Sequence, residues 1–242
     1  MALIKPLRYR ELFFRKSILN YYKNFYKYSS TKINSHSTYH SLSRIDIINT
    51  FIKNKSVLER SHIKYLEIGC SDNKCFNNVN LPLSQKTGVD PIRGGTHRMT
   101  SDVFFENCTD EFDIIFIDGL HIYEQVQKDI INSLSFLRND GKIIIHDMIP
   151  KKWEMECVPR IYNSWNGDVW KIGVELEKSS GVKLKIYDCD YGVGVIEKFS
   201  SDYKYHRMNN ILHNQYFKDF LNYKSNLPIY PPASFHDLFI KK

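Results

Sequence analysis

Between residues 63 and 147 the chain alternates short, unbroken apolar runs with helical stretches, and this pattern limits the folds open to it. Residues 63–69, 87–90, 112–118 and 142–147 read as strands. A strand that is apolar at nearly every position is covered on both faces, which calls for a parallel sheet flanked by helices. One covering helix is legible over 121–137. There Ile122, Val126, Ile130, Leu134 and Leu137 share a face, Glu124 and Lys128 form an i,i+4 pair, and Asn139-Asp140-Gly141 follows as a break. Residues 182–188 and 192–197 lie close enough in sequence to pair as an antiparallel hairpin. The expected fold is therefore α/β: a Rossmann-like, doubly wound, mostly parallel sheet finished by a C-terminal hairpin. Upstream, Ile45, Ile47, Ile48, Phe51, Ile52 and Leu58 predict a helix over 43–60 leading into the first strand.

Bulk properties narrow the class further. With 242 residues and 42% hydrophobic content, the chain is large enough to bury one substantial core. No apolar run approaches the ~20 residues of a membrane-spanning helix. Positive charges near the start interleave with aromatics, so no cleavable signal peptide is expected. Five cysteines (Cys70, Cys75, Cys108, Cys157, Cys189) without C-x-x-C spacing favour buried, reduced thiols and a cytoplasmic setting. The charge of +7 is uneven. Residues 1–65 hold 13 Lys and Arg against 3 Asp and Glu, a net +10, so the remainder holds 21 against 24, a net −3. That asymmetry argues against a nucleic-acid binder. Residues 1–30 read as basic amphipathic helices, suited to packing on the body or a second subunit, or to peripheral contact with an anionic membrane surface. Residues 29–42 read as a linker or lid. The expected organisation is an extension over 1–60, a catalytic domain over 61–200, and a lid or oligomer contact over 201–242.

Four predicted strands end in an acid: Glu67, Asp90, Asp118 and Asp147. In an open α/β sheet, ligands bind outside the carboxyl ends of the strands, so these carboxylates converge on one rim. Tyr65-Leu66-Glu67-Ile68-Gly69 resembles the first motif of methyltransferases. Gly69 lets backbone approach a ligand, and Glu67 orders the turn or meets an ammonium group. Asp90, about twenty residues downstream, is placed for ribose hydroxyls. Ser101 and Asp102, expected at the end of a third strand, are candidates for the adenine. The turn carries no second or third glycine. A dinucleotide needs that density around its phosphates and S-adenosylmethionine does not, so NAD is disfavoured.

The remaining acids come with imidazoles. Asp118 and His121 flank one strand end, and His146-Asp147 ends its neighbour. Asp118, His146 and Asp147 form an oxygen- and nitrogen-rich candidate metal site, with Asp118 also touching the cofactor. A divalent ion there lowers the pKa of an acceptor hydroxyl while His121, or His146, takes the proton.

The run Phe112-Asp113-Ile114-Ile115-Phe116-Ile117-Asp118-Gly119-Leu120-His121-Ile122-Tyr123-Glu124, followed by Asp129, Gly141 and His146-Asp147, resembles the bacterial methyltransferase-24 family. The likeness extends over roughly 63–198, through the segments 96–102, 167–171 and 190–196. It implies a class I methyltransferase fold with seven strands, S-adenosylmethionine as donor, and O-methylation of a sugar, glycan precursor or related metabolite. The positions of Asp118, His121 and His146-Asp147 are also similar to those of metal-dependent catechol-type O-methyltransferases, which implies Mg²⁺. There His121 replaces a lysine, and His146-Asp147 an Asp-Asn pair. On position alone, His97, Arg98 and Trp170 are candidates for the acceptor side. Three rival readings are an NAD-dependent oxidoreductase, a non-catalytic, membrane-surface or scaffold protein on a degenerate methyltransferase fold, and metal-independent methyl transfer with His121 or His146 as base.

Overall fold

The computed structural model describes residues 42–161 and 163–239. The predicted helices of 1–30 and the linker up to residue 41 lie outside the described residues. A single seven-stranded sheet organises the rest, in the order β2-β1-β3-β4-β6-β5-β7. Its strands are β1 (Tyr65–Ile68), β2 (Lys86–Val89), β3 (Phe112–Ile117), β4 (Leu137–Ile145), β5 (Val182–Tyr187), β6 (Val193–Lys198) and β7 (Ile229–Tyr230). β2, β1, β3 and β4 run parallel. β6 runs antiparallel between β4 and β5, and β7 adds to β5 in parallel. This is the doubly wound architecture of class I methyltransferases, with the expected hairpin wedged into the sheet.

The unbroken apolar runs are explained by burial on both faces. Ile115, Ile117, Ile143 and Ile145 pack in one core with Val126, Ile130 and Leu134 of α5 (Tyr123–Phe136) and with α7 (Trp170–Lys178). Their neighbours Ile114, Phe116 and Ile144 face the other core, with Ile47, Ile48 and Ile52 of α1 (Arg44–Lys53) and Phe235 of α10 (Ala233–Asp237). Burying each such isoleucine contributes roughly 1.5–3 kcal/mol. The C-terminal region is tied down by polar contacts too. Glu175, fully buried on α7, accepts hydrogen bonds from Tyr123 Oη, Gln127 Nε2, Tyr205 Oη and the Met208 amide.

Four expectations need correction. No third strand forms before residue 101: His97 makes one isolated bridge to Val89, and Ser101 opens helix α4 (Ser101–Asn107), capped by Thr100. Gly94 and Gly95, both at positive φ, turn the chain too sharply there for a ladder. The seventh strand is instead β7, from the C-terminal region. The helix predicted over 43–60 breaks at Asn54, where Ser56 caps the short α2 (Val57–Arg60) and leaves Leu58 74% exposed. Finally, β4 starts at Leu137 and runs through the supposed break with a register shift, then ends at Ile145. Asp147 therefore lies past the strand, at φ +63°.

Candidate active site

The carboxyl ends of β1, β3 and β4 open onto one rim, as strand direction requires. Gly69 follows β1 at φ +89°, and a Cβ there would fall 2.3 Å from the Asp118 carbonyl oxygen. Only glycine lets the two strand ends lie this close. Beside it, Asp90 gathers two loops. Its Oδ2 accepts from the Ser71 amide (2.9 Å), and its Oδ1 accepts from the amides of Ile92 and Arg93 (2.8 and 2.9 Å). A carboxylate has about four acceptor positions, so one on Oδ2 stays open to a hydroxyl.

Glu67 is buried under this turn and receives a 2.5 Å hydrogen bond from Tyr65 Oη. Burial raises its pKa to about 7, with the Tyr65 hydrogen bond opposing. Ser101 does not point at a strand end. Its Oγ donates to Asp129 (2.6 Å), and Gln125 bridges Asp129 to Asp102. Arg98 lies on the Asp90 side, its Nη1 donating to the Asp90 carbonyl (3.3 Å), and His97 packs edge-on against Phe104. Both are exposed; the Arg98 contact belongs to the Asp90 loop and the His97 contact to α4.

The acids and imidazoles of the second pair do come together. His121 places Nε2 3.2 Å from Asp118 Oδ1 and Nδ1 3.1 Å from Asp147 Oδ2, and it stacks on Trp165. His146 places Nδ1 3.2 Å from Asp118 and 3.3 Å from Asp147. Burial works against the charged form of both imidazoles, yet the adjoining carboxylates outweigh it. His146 is raised well above its ordinary value and His121 is raised as well. Burial likewise opposes ionised Asp118, but His146 and His121 hold its carboxyl far below the usual range. Asp118, His121 and Asp147 each offer one ligand atom, and these three atoms lie within 4.8 Å of one another. This set matches the predicted one except that His121 stands where His146 was expected. Two carboxylates and an imidazole suit a hard or borderline divalent ion.

Three residues that sequence reasoning missed complete the cluster. Asn166, fully buried, donates from Nδ2 to the Asp147 carbonyl and Oδ1 (both 3.1 Å), which leaves Oδ2 facing the imidazoles. Asp190 lies 3.5 Å from His146 Nε2. Arg44, at the start of α1, reaches Asp190 (2.9 Å), Asp118 (3.6 Å) and His146 Nε2 (3.0 Å). Trp170 requires a correction. It is 0% exposed, packed against Phe220 and Tyr223 with its indole N–H on Glu156, so neither face is open to an acceptor. The tryptophan that does touch the cluster is Trp165.

Residues 54–148, which span β1 to the end of β4, match a family model described as a methyltransferase domain. The chain carries the domain of an S-adenosylmethionine-dependent methyltransferase. Solved structures similar to this methyltransferase include an O-methyltransferase from Bacillus cereus in complex with S-adenosylhomocysteine. It shows 12% identity over 80% of this chain and 92% of that one, with a TM-score of 0.44. Another is the Podospora anserina methyltransferase PaMTH1 with bound S-adenosylhomocysteine, at 14% identity over 83% of this chain and all of that one, with a TM-score of 0.42. No curated protein matches the methyltransferase sequence.

Proposed function

We propose that the protein transfers a methyl group from S-adenosylmethionine to a hydroxyl of a sugar, glycan precursor or related metabolite, with a divalent cation such as Mg²⁺ assisting. The observation that carries this reading is the cluster of Asp118, His121, His146 and Asp147 on the rim directly beside the Gly69 turn. Glu67, Gly69, Asp90 and Asp102 would hold the donor, and the open acceptor position on Asp90 suits a ribose hydroxyl. Asp118 and Asp147 with an imidazole would hold the cation, which when bound supplies Lewis acidity toward an oxygen ligand. Asn166 fixes Asp147 for that task.

With His121 as a ligand of the cation, His146 is the candidate base, but it must be neutral to accept a proton. Its ion pairs with Asp118 and Asp147 favour the imidazolium, so those carboxylates have to be engaged elsewhere before it can act. This coupling favours the metal-assisted route over a metal-free one. Holding acceptor and donor in line supplies much of the acceleration. We also place the enzyme in the cytoplasm, with the basic extension available for membrane or subunit contact.

Calorimetric titration with S-adenosylhomocysteine, and in parallel with NAD⁺, each with and without Mg²⁺, tests the donor. Micromolar binding of the former that Asp90→Ala abolishes supports the assignment, and a screen of sugar acceptors with EDTA controls then tests the reaction. Binding of NAD⁺ alone would sink it in favour of an oxidoreductase, and binding of neither would favour a non-catalytic scaffold.

A further inference from the structure

We propose that Arg44 is a built-in counter-cation of the rim cluster, which a divalent metal ion must displace from Asp118 in order to bind. The proposal rests on the cation-binding reading of Asp118, His121 and Asp147.

The argument begins at the start of α1. Ser43 caps this helix through a reciprocal pair of hydrogen bonds with Asp46, which sets where the next residue leaves the backbone. That residue is Arg44, and its two carboxylate partners hold it unequally. Asp190 Oδ2 accepts from both the Arg44 amide (3.1 Å) and Nη1 (2.9 Å). Toward Asp118 there is only Nε, 3.6 Å from Oδ2. That distance is too long for a hydrogen bond, and Nε is buried with no other acceptor. The grip on Asp190 is therefore directional and doubled, while the contact with Asp118 is charge attraction alone.

Asp118 is also the carboxylate that the cation set needs. A guanidinium and a divalent ion beside the same carboxylate repel each other, strongly where water is scarce. Because Asp190 anchors Arg44 independently, the side chain can give up Asp118 without leaving the site. Arginine stays charged at every working pH, so the opposition from Arg44 itself does not change with pH. The same cation lies against His146 Nε2, so its withdrawal from the cluster also changes what that imidazole faces.

The test is calorimetric titration of the full chain with Mn²⁺, comparing wild type with Arg44→Gln, Arg44→Met and Arg44→Lys. Melting curves check that each variant is folded, and S-adenosylhomocysteine titration reports separately on the donor site. The expected result is Mn²⁺ binding at least tenfold tighter in Arg44→Gln and Arg44→Met than in wild type, with Arg44→Lys close to wild type. Binding by the neutral variants where wild type shows none supports the proposal in its strongest form. Equal or weaker binding by the neutral variants overturns it, as does an equal gain in Arg44→Lys or a lack of binding in every protein. Donor binding that survives such a result leaves the methyltransferase reading standing.

Discussion

Glu67 offers the sharpest test of how the rim is built, because its carboxyl is 1% exposed and shifted toward neutrality. Burial lifts its pKa from an ordinary 4.5 to about 7. A carboxyl with a raised folded pKa holds its proton longer folded than unfolded, so between those values stability falls as pH rises. The gap of about 2.5 pH units, at about 1.4 kcal/mol each, corresponds to about 3.4 kcal/mol across the whole window. Part of the loss has occurred by pH 5, which leaves about 2.5 kcal/mol between pH 5 and pH 8. Glu67→Gln keeps an acceptor for Tyr65 Oη and cannot ionise. Urea unfolding of both proteins across that range isolates Glu67, since groups such as Asp129 and Glu156 titrate in both. The expected result is a wild-type stability that declines by about 2.5 kcal/mol more than that of the variant, or about 1 M in urea midpoint. Parallel curves would refute the reasoning, and would mean that Glu67 is ionised in the folded protein throughout the range.

Two further outcomes follow from the site. Asn166→Leu removes the amide that clamps Asp147, and should weaken Mn²⁺ binding by about 10–100-fold, the usual cost of losing a group that orients a ligand. An unchanged Mn²⁺ isotherm would mean that Asp147 is held adequately by its left-handed backbone alone. Trp170→Phe should lower stability by about 1–3 kcal/mol, through lost packing and the lost Glu156 contact, while leaving the acceptor KM unchanged. A raised KM at full stability would return Trp170 to the acceptor side.

How far the site could be read from sequence depends on how each residue reaches the rim. Asp118 and His146-Asp147 arrive on or just past parallel strands, and strand direction alone sends them to the carboxyl edge, so pattern sufficed. The same rule could have found Asp190. β6 runs antiparallel, so its beginning rather than its end lies on that edge, and the acid three residues before Val193 belongs there. Ser101 was misplaced because a third strand was assumed where two glycines turn the chain. Trp170 was misassigned because it follows the fifth-strand region in sequence, whereas α7 turns it into the core. Arg44 and Asn166 carry no such signal. One sits at a helix start and the other in a loop after α6 (Trp153–Glu156), and only the packing of α1 and α7 decides what they touch. The division has a physical basis: acids at strand ends obey a local rule, while the groups that balance or aim them come from elements whose approach is fixed only when both faces of the sheet are covered. The neutral Arg44 variants and Asn166→Leu, expected to move cation affinity in opposite directions, therefore probe the part of the site that no local pattern encodes.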